Sequence, residues 1–301
     1  MLARTRVQRL VDFAQAPATV WVKREDESGF GISGCKKRKY ASLLPYLRTQ
    51  GRAVLLMGGS HSNHIVGLTQ LLRESALPLR LYLKATHAPD DRGNGLLRRL
   101  LADEGDIRWV SAAEWPQVES LAQAECPHHL CIPEGGTHPA ALPGACTLWL
   151  DILRNEADQE LHFDHLFIDS GTALMAGALL GMKQAQRPTT QLHVVLTAGD
   201  DVYFYQQYAR FQRWSSEWLG APFPPPDRLQ LHPPATARSF GSVNATIRRE
   251  VQQLARRHGL LCDPVYTAKL FHTARHVLET QALTGQALVI HSGGGTGLMG
   301  F

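Results

Sequence analysis

The strongest constraint on the fold is the alternation of short apolar runs with longer stretches of helical periodicity. Strands are predicted at residues 19–24, 52–57, 79–84, 107–111, 130–133, 165–169, 191–197 and 287–291. Helices are predicted at residues 37–49, 62–75, 93–103, 113–124, 139–156, 173–186, 202–218, 244–258 and 267–281. Strands that alternate with helices form βαβ units, so we expect an α/β protein built on parallel sheets.

Two segments stand outside this alternation. Residues 6–16 have the spacing of a short amphipathic helix, which would precede the first strand. Residues 221–238 begin with a proline-rich stretch and are predicted to form one long surface connection.

Composition narrows the class of protein. The chain has 301 residues and is 44 % hydrophobic, which is enough for a sizeable core and favours two lobes. The net charge of +4 is small and spread out, so it does not indicate a nucleic-acid or membrane partner. Five cysteines without regular spacing do not make a disulfide framework. The chain start lacks a signal-peptide core and no apolar run reaches 18 residues, so we expect a cytoplasmic protein.

The segments that directly follow the strands are the candidate site, because ligands of parallel sheets bind beyond the carboxyl ends of the strands. Several of these segments are rich in glycine, and backbone amides in such loops bind phosphate groups. They lie at residues 34–39, 58–63, 133–137, 169–172 and 291–297.

The basic run at residues 36–39 has three interpretations. It follows the charged residues 23–26 and a loop loosened by Gly29, Gly31 and Gly34. A basic run at a helix start is most often a solvated face, and a phosphate or nucleic-acid patch is the second interpretation. The neighbouring glycine-rich loops favour the third, a lysine that forms a covalent bond with a carbonyl group.

Five segments, in this order and spacing, resemble one family; they are residues 23–39, 58–63, 133–136, 263–266 and 291–294. The chain resembles the pyridoxal-phosphate enzymes of the tryptophan-synthase-β-like fold (fold type II), in the branch of 1-aminocyclopropane-1-carboxylate deaminase and D-cysteine desulfhydrase. The resemblance implies a two-lobed, three-layer αβα architecture. It implies a small domain at residues 45–155, a large cofactor-binding domain at residues 1–44 and 156–301, and a homodimer.

The resemblance assigns roles to three residues of the first two segments. Lys36 would carry pyridoxal 5'-phosphate, and its released amine would move the substrate α-proton. Asn63 would hydrogen-bond the cofactor ring oxygen, and Ser62 would lie beside the substrate carboxylate as nucleophile or proton donor. Serine and asparagine are also good helix N-caps, so the two residues could equally start a helix.

The segment 171–177 is implied to hold the cofactor phosphate through amides at a helix N-terminus. The residues predicted to bind it are Ser170, Gly171, Thr172 and Ala173. The loop departs from the family pattern because Ala173, Leu174 and Met175 replace small or hydroxyl-bearing residues.

Three further residues are implied to face the ring or the substrate. Tyr266 matches a tyrosine that faces the substrate, although a core position fits it equally well. Thr267 stands where the deaminase has a glutamate on the pyridine nitrogen, and a threonine hydroxyl supplies no charge, so the ring is expected to stay neutral. Ser292 stands where the deaminase has leucine and the desulfhydrases have a small hydroxyl residue.

These residues favour a pyridoxal-phosphate-dependent lyase that catalyses α,β-elimination of a small amino acid, D-cysteine above all, to give pyruvate, ammonia and sulfide. The alternatives are a 1-aminocyclopropane-1-carboxylate deaminase and a cofactor-binding relative without lyase activity. Phe240 motivates the last alternative, since it replaces a second active-site tyrosine of the family, and Cys35 replaces the asparagine before the lysine. A basic-patch nucleic-acid binder is a further alternative, without an accompanying motif.

Two other clusters have a simpler explanation. Residues 126–131 hold two cysteines and two histidines, but their spacing is not that of a zinc site, so no metal is predicted. The aromatic-rich stretch 202–218 has helical spacing, which favours core or interlobe packing, or a dimer contact, over base stacking.

Overall fold

The computed structural model describes residues 4–29, 34–85 and 91–299. Gly31, part of the predicted glycine loop, lies outside these residues. The strands are β1 Val7–Arg9, β2 Thr19–Arg24, β3 Val54–Gly59, β4 Leu79–Lys84, β5 Ile107–Val110, β6 Leu130–Ile132, β7 His165–Ser170, β8 Gln191–Leu196, β9 Leu229–His232 and β10 Gln286–His291.

The helices occupy the intervals between strands, as the alternation predicts. They are α1 Cys35–Gln50, α2 Asn63–Glu74, α3 Gly93–Leu101, α4 Val118–Glu125, α5 Leu142–Gln159, α6 Leu174–Gln186, α7 Asp201–Leu219, α8 Ala245–His258 and α9 Thr267–Thr280. None of the helices in the described part of the chain is long and apolar enough to cross a membrane.

The strands form two sheets. The smaller sheet has the order β5-β4-β3-β6 and is parallel throughout. The larger sheet has the order β1-β2-β10-β7-β8-β9, and only its edge pair β1-β2 is antiparallel among the strands described. This arrangement confirms the predicted fold class, an α/β protein with parallel-rich sheets.

The central strands are apolar without interruption because both faces of a parallel sheet are covered by helices. Residues 54–57 of β3 and 287–291 of β10 are buried at every position. The two runs therefore identify β3 and β10 as interior strands of their sheets. The carboxyl ends of these strands lead out of the core into loops.

Helix α7 is the aromatic-rich stretch of the sequence, and its inner face belongs to the core. Phe204, Tyr208 and Phe211 are buried. Gly177 of α6 leaves room for Phe211, since a Cβ atom at Gly177 would lie 2.5 Å from that ring. Core packing, predicted from the helical spacing, thus accounts for these aromatic residues.

Two predicted elements are wrong. Residues 6–16 do not form a helix: Val7–Arg9 is strand β1, paired antiparallel with β2, and a turn follows. The stretch 221–238 is not one irregular connection, because Leu229–His232 adds edge strand β9 parallel to β8. In both cases pairing with a neighbouring strand decides the local structure, and a short window of sequence does not contain that neighbour.

Candidate active site

The start of α1 is fixed against the end of β10. The amide of Cys35 donates a hydrogen bond to the carbonyl oxygen of Ser292 over 2.9 Å. Gly34 has φ +70°, and a Cβ atom there would lie 1.9 Å from the same oxygen. Only glycine fits this position. The contact places Lys36, in the first turn of α1, beside the carboxyl ends of the strands of the larger sheet.

A buried group of charges holds the same helix from its other side. Nε and Nη2 of Arg38 each donate to one carboxylate oxygen of Glu25, both over 2.6 Å. Nη2 also donates to Asp151 of α5 over 2.6 Å. The ammonium of Lys23 binds Asp151 at 2.6 Å and Asn155 at 2.5 Å. Two cations and two anions thus balance, and Lys23 and Glu25 of the charged stretch help to anchor α1.

The lysine run is therefore not a solvated face. Arg38 and Lys39 are buried. Nζ of Lys39 donates to the carbonyl oxygen of Gly135 over 3.1 Å, and burial together with the charge of Lys36 lowers the pKa of Lys39 to about 7. Lys36 is partly buried, and its charge also acts on His64 and Asp169. Two amines, at Lys36 and Lys39, thus lie in the candidate site.

The start of α2 presents hydrogen-bond donors. The side chain of Ser62 caps the helix by accepting from the amide of His64 over 3.1 Å. The side-chain oxygen of Asn63 accepts from the side-chain amide of Asn94 at 2.8 Å, and Asn94 in turn accepts from the hydroxyl of Thr296 at 2.7 Å. What Asn63 offers to a ligand is therefore its amide nitrogen, which can only donate.

The loops that follow β6 and β7 touch each other. The hydroxyl of Thr137 donates to the hydroxyl oxygen of Thr172 over 2.8 Å. Gly135 has φ +66°, and a Cβ atom there would lie 2.5 Å from the Thr172 hydroxyl oxygen. The contact brings the carboxyl edge of the smaller sheet against that of the larger one.

The glycine loop after β7 leads into the amino end of α6. The carbonyl oxygen of Ser170 accepts from the amides of Thr197 and Ala198, which ties the loop to the end of β8. Ala173 caps α6 with φ +65°, a left-handed conformation that glycine adopts more easily. The exposed amides of a helix start attract an anion, so this loop suits a phosphate group.

Tyr266 and Thr267 lie at the start of α9. Tyr266 is partly exposed, and the centroid of its ring lies 5.9 Å from that of Phe240. The ring also lies close to Gly171, since a Cβ atom at Gly171 would be 3.4 Å from it. Burial raises the pKa of its hydroxyl. Thr267 is fully buried, and its hydroxyl donates to Oδ2 of Asp263 over 2.8 Å.

Asp169 begins one of the candidate segments, 169–172, but the sequence assigns it no role. It follows three buried residues of β7. Burial raises its pKa to about 6, although the hydroxyl of Ser292 acts in the opposite direction. The signal was available in the sequence, because an aspartate ends the apolar run Leu166–Ile168 at the carboxyl end of a predicted strand.

The residues present fit pyridoxal phosphate. They offer an amine for its aldehyde at Lys36, helix-start amides for its phosphate at α6, and a donor for its ring oxygen at Asn63. By contrast, the described residues hold no group of three or more His, Cys, Asp and Glu side chains arranged for a metal ion. Cys126, of the cysteine–histidine segment, instead lies 3.7 Å from the hydroxyl of Tyr82.

Comparisons with known proteins agree with this fit. A family model described as "Pyridoxal-phosphate dependent enzyme" matches residues 2–293. The chain is similar to D-cysteine desulfhydrase of Yersinia pestis, with 26 % identity over 98 % of this chain and 92 % of that protein. It is also similar to the mitochondrial bifunctional D-cysteine desulfhydrase/1-aminocyclopropane-1-carboxylate deaminase of Arabidopsis thaliana, with 24 % identity over 93 % of this chain and 73 % of that protein.

A solved structure shares the fold. The crystal structure of an ACC deaminase homologue superposes with a TM-score of 0.85 at 23 % identity, over 98 % of this chain and 90 % of that one. At this identity the likeness concerns the arrangement of helices and strands.

Proposed function

The chain belongs to the family of pyridoxal-phosphate-dependent enzymes, and on that basis we propose that it is a lyase that eliminates the β-substituent of a small amino acid. The single observation that carries the proposal is the position of Lys36. Its helix is held by the Gly34–Ser292 contact at the same sheet edge that presents the amides of α6 and the donor of Asn63.

Each proposed site residue has a defined task. The Lys36 amine would hold the cofactor through its aldehyde, and after the substrate amine had taken its place it would accept the proton from the substrate α-carbon. Ser170, Gly171, Thr172 and Ala173, ahead of α6, would hold the phosphate. Bound pyridoxal phosphate withdraws electrons from the α-carbon and so makes its proton acidic.

The substrate lies between α2 and α9 in this proposal. Exposed amides at the start of α2 attract its carboxylate, with Ser62 beside it. Tyr266 covers the glycine loop from the other side. Thr267 and Ser292 complete the ring site with hydroxyl groups.

We propose D-cysteine as the substrate and pyruvate, ammonia and sulfide as the products. Ser292, a small hydroxyl residue, supports it, as do relatives named for D-cysteine desulfhydrase. A 1-aminocyclopropane-1-carboxylate deaminase is the second candidate, favoured by the bifunctional relative. The same proposal includes a small domain at residues 45–155 and a cytoplasmic homodimer. The dimer is supported by three exposed apolar side chains of α7, which are Tyr205, Trp218 and Leu219.

The first test is the absorption spectrum of the purified protein with pyridoxal phosphate, before and after borohydride reduction, followed by mapping of the labelled peptide. We expect a band that bleaches on reduction and a label on Lys36. Lys39 is the rival amine, because its pKa of about 7 leaves part of it neutral at neutral pH. Lys36→Ala should remove the label and Lys39→Ala should retain it at Lys36. A label that maps to Lys39 or scatters over surface lysines refutes the assignment.

The second test concerns the substrate. The loaded protein should form pyruvate from D-cysteine faster than from L-cysteine, and Lys36→Ala should form none. Formation of 2-oxobutanoate from 1-aminocyclopropane-1-carboxylate at a comparable rate would favour the deaminase. Cofactor bound at Lys36 without any product from a panel of D- and L-amino acids would indicate a relative without lyase activity.

A further inference from the structure

The hydroxyl of Thr267, beside the carboxyl edge of the larger sheet, has already given its proton to a carboxylate. It donates to Oδ2 of Asp263 over 2.8 Å. A hydroxyl has a single proton and two lone pairs. Thr267 therefore has only hydrogen-bond acceptors left, and the neighbouring acid Asp169 is influenced by the hydroxyl of Ser292, which acts to lower its pKa.

The carboxylates of Asp263 and Asp169 differ in their remaining capacity to accept hydrogen bonds. Asp263 is saturated, since Oδ1 accepts from the amides of Val265 and Tyr266, and Oδ2 accepts from the amide and hydroxyl of Thr267. Oδ1 of Asp169 is buried and has no hydrogen-bond partner among the described residues. Asp169 is thus the acid at this edge with an acceptor to spare, and a buried acceptor without a partner is costly.

The cofactor has one polar group that matches such a surface. Its phosphate and its ring oxygen are negative, and they suit the donors at the start of α6 and at Asn63. Placed against Asp169 and Thr267, either group would meet only acceptors. The ring nitrogen can carry a proton and donate it, and it lies on the opposite side of the ring from the carbon that bonds to Lys36.

We infer, resting on the proposed function, that Asp169 binds the ring nitrogen of pyridoxal phosphate in its protonated form. The acid that Thr267 does not supply from α9 comes instead from the end of β7. The expectation that the ring stays neutral is thereby replaced: the ring nitrogen carries a proton, and Asp169 accepts it in a hydrogen bond and balances its charge.

The test is ¹⁵N nuclear magnetic resonance of the protein loaded with pyridoxal phosphate labelled at the ring nitrogen, at neutral pH. The wild-type signal should be that of a protonated ring nitrogen, and Asp169→Asn should shift it to the unprotonated position. Glu134→Gln is the matched control, because Glu134 and Asp169 both act on Tyr266 while Glu134 lies on the loop after β6. An unprotonated nitrogen in the wild type overturns the inference, as does a protonated one in Asp169→Asn.

Affinity gives a second readout that does not depend on turnover. Asp169→Asn should weaken binding of pyridoxal phosphate about 10- to 100-fold, the usual worth of a hydrogen bond between charged groups. It should not weaken binding of the analogue in which a C–H group replaces the ring nitrogen. Equal losses for both ligands would show that Asp169 serves another group, such as the substrate amine. If peptide mapping finds no cofactor at Lys36, the proposed function itself fails; cofactor at Lys36 with a neutral ring overturns only the assignment of Asp169.

Discussion

Arg38 binds both carboxylate oxygens of Glu25 at 2.6 Å with neither side chain more than 4 % exposed. The same pairing occurs on the surface, where Arg6 binds both oxygens of Glu27 at 2.9 and 2.7 Å. Both pairs are bidentate through the same guanidinium atoms, and they differ in burial. Comparing them shows how much an ion pair contributes to the free energy of unfolding when it is buried and when it is exposed.

Replacing Arg38 should cost far more stability than replacing Arg6. Arg38→Met leaves Glu25 and Asp151 buried with one cation between them, a loss of about 3–5 kcal/mol in the free energy of unfolding. Arg6→Met removes an exposed pair and should cost about 0–1 kcal/mol. Urea unfolding of both variants measures the difference. Equal losses would show that the buried group does not anchor α1.

Gly34 should tolerate no side chain. Gly34→Ala combines φ +70° with a Cβ atom 1.9 Å from the carbonyl oxygen of Ser292, so the start of α1 must move and Lys36 with it. Gly51→Ala is the matched control, since Gly51 has φ +59° and nothing within 4 Å of its Cβ position. It should cost only the left-handed backbone strain, about 1–2 kcal/mol. Cofactor uptake, followed by absorption, should fall in Gly34→Ala alone, and unchanged uptake in both variants would contradict the prediction.

Ala173→Gly should stabilise the protein. Ala173 has φ +65° at the start of α6, and glycine adopts this conformation without the steric cost of a Cβ atom, a gain of about 1 kcal/mol. Ala282→Gly should give a similar gain, because exposed Ala282 has φ +46° far from the glycine loop. Chemical denaturation of both variants checks the values. A gain at Ala282 with a loss at Ala173 would show that the methyl group of Ala173 makes favourable contacts in the loop.

Asp169 should make the stability of the cofactor-free protein depend on pH. Its pKa of about 6 exceeds the ordinary value of 3.8, so the folded state holds the proton more tightly than the unfolded state does. The resulting stability is present below pH of about 4 and is lost as the pH rises to about 6. Asp169→Asn lacks this titration. The stability of Asp169→Asn relative to the wild type should therefore rise by on the order of 1–3 kcal/mol between pH of about 4 and pH of about 6.

Urea unfolding at a series of pH values measures this difference. Ser292→Ala provides the comparison. Loss of its hydroxyl removes an influence that lowers the pKa of Asp169, so the pH range over which stability changes should move to higher pH. A difference between Asp169→Asn and wild type that stays constant with pH would contradict the assignment.

The sequence predicts the order of helices and strands well where apolar runs are long. Strand Leu79–Lys84 and helix Asn63–Glu74 lie within a residue of their predicted bounds. The prediction fails at β1 and β9, which are three and four residues long and depend on pairing with distant strands. Such short segments carry too little periodicity to reveal their partner.

The candidate site was predictable by position more than by role. Gly34, Asn63 and Ser292 follow strands, and the rule for parallel sheets places them together. The sequence does not reveal that Lys39 is buried, that Thr267 gives its proton to Asp263, or that Asp169 has a free acceptor. These facts depend on side chains brought together from distant parts of the chain, so they require coordinates.

The pairing of β2 with β10 has a consequence for biosynthesis. Ten residues lie between the end of strand β2 and the start of the helix of Lys36. The parallel partner of β2 is nevertheless Gln286–His291, and Ser292 holds the start of that helix. During translation the lysine therefore emerges well before the strand and the carbonyl oxygen that position its helix. The nascent chain carries no assembled site until Ser292 has been added, so cofactor uptake has to follow the synthesis of β10.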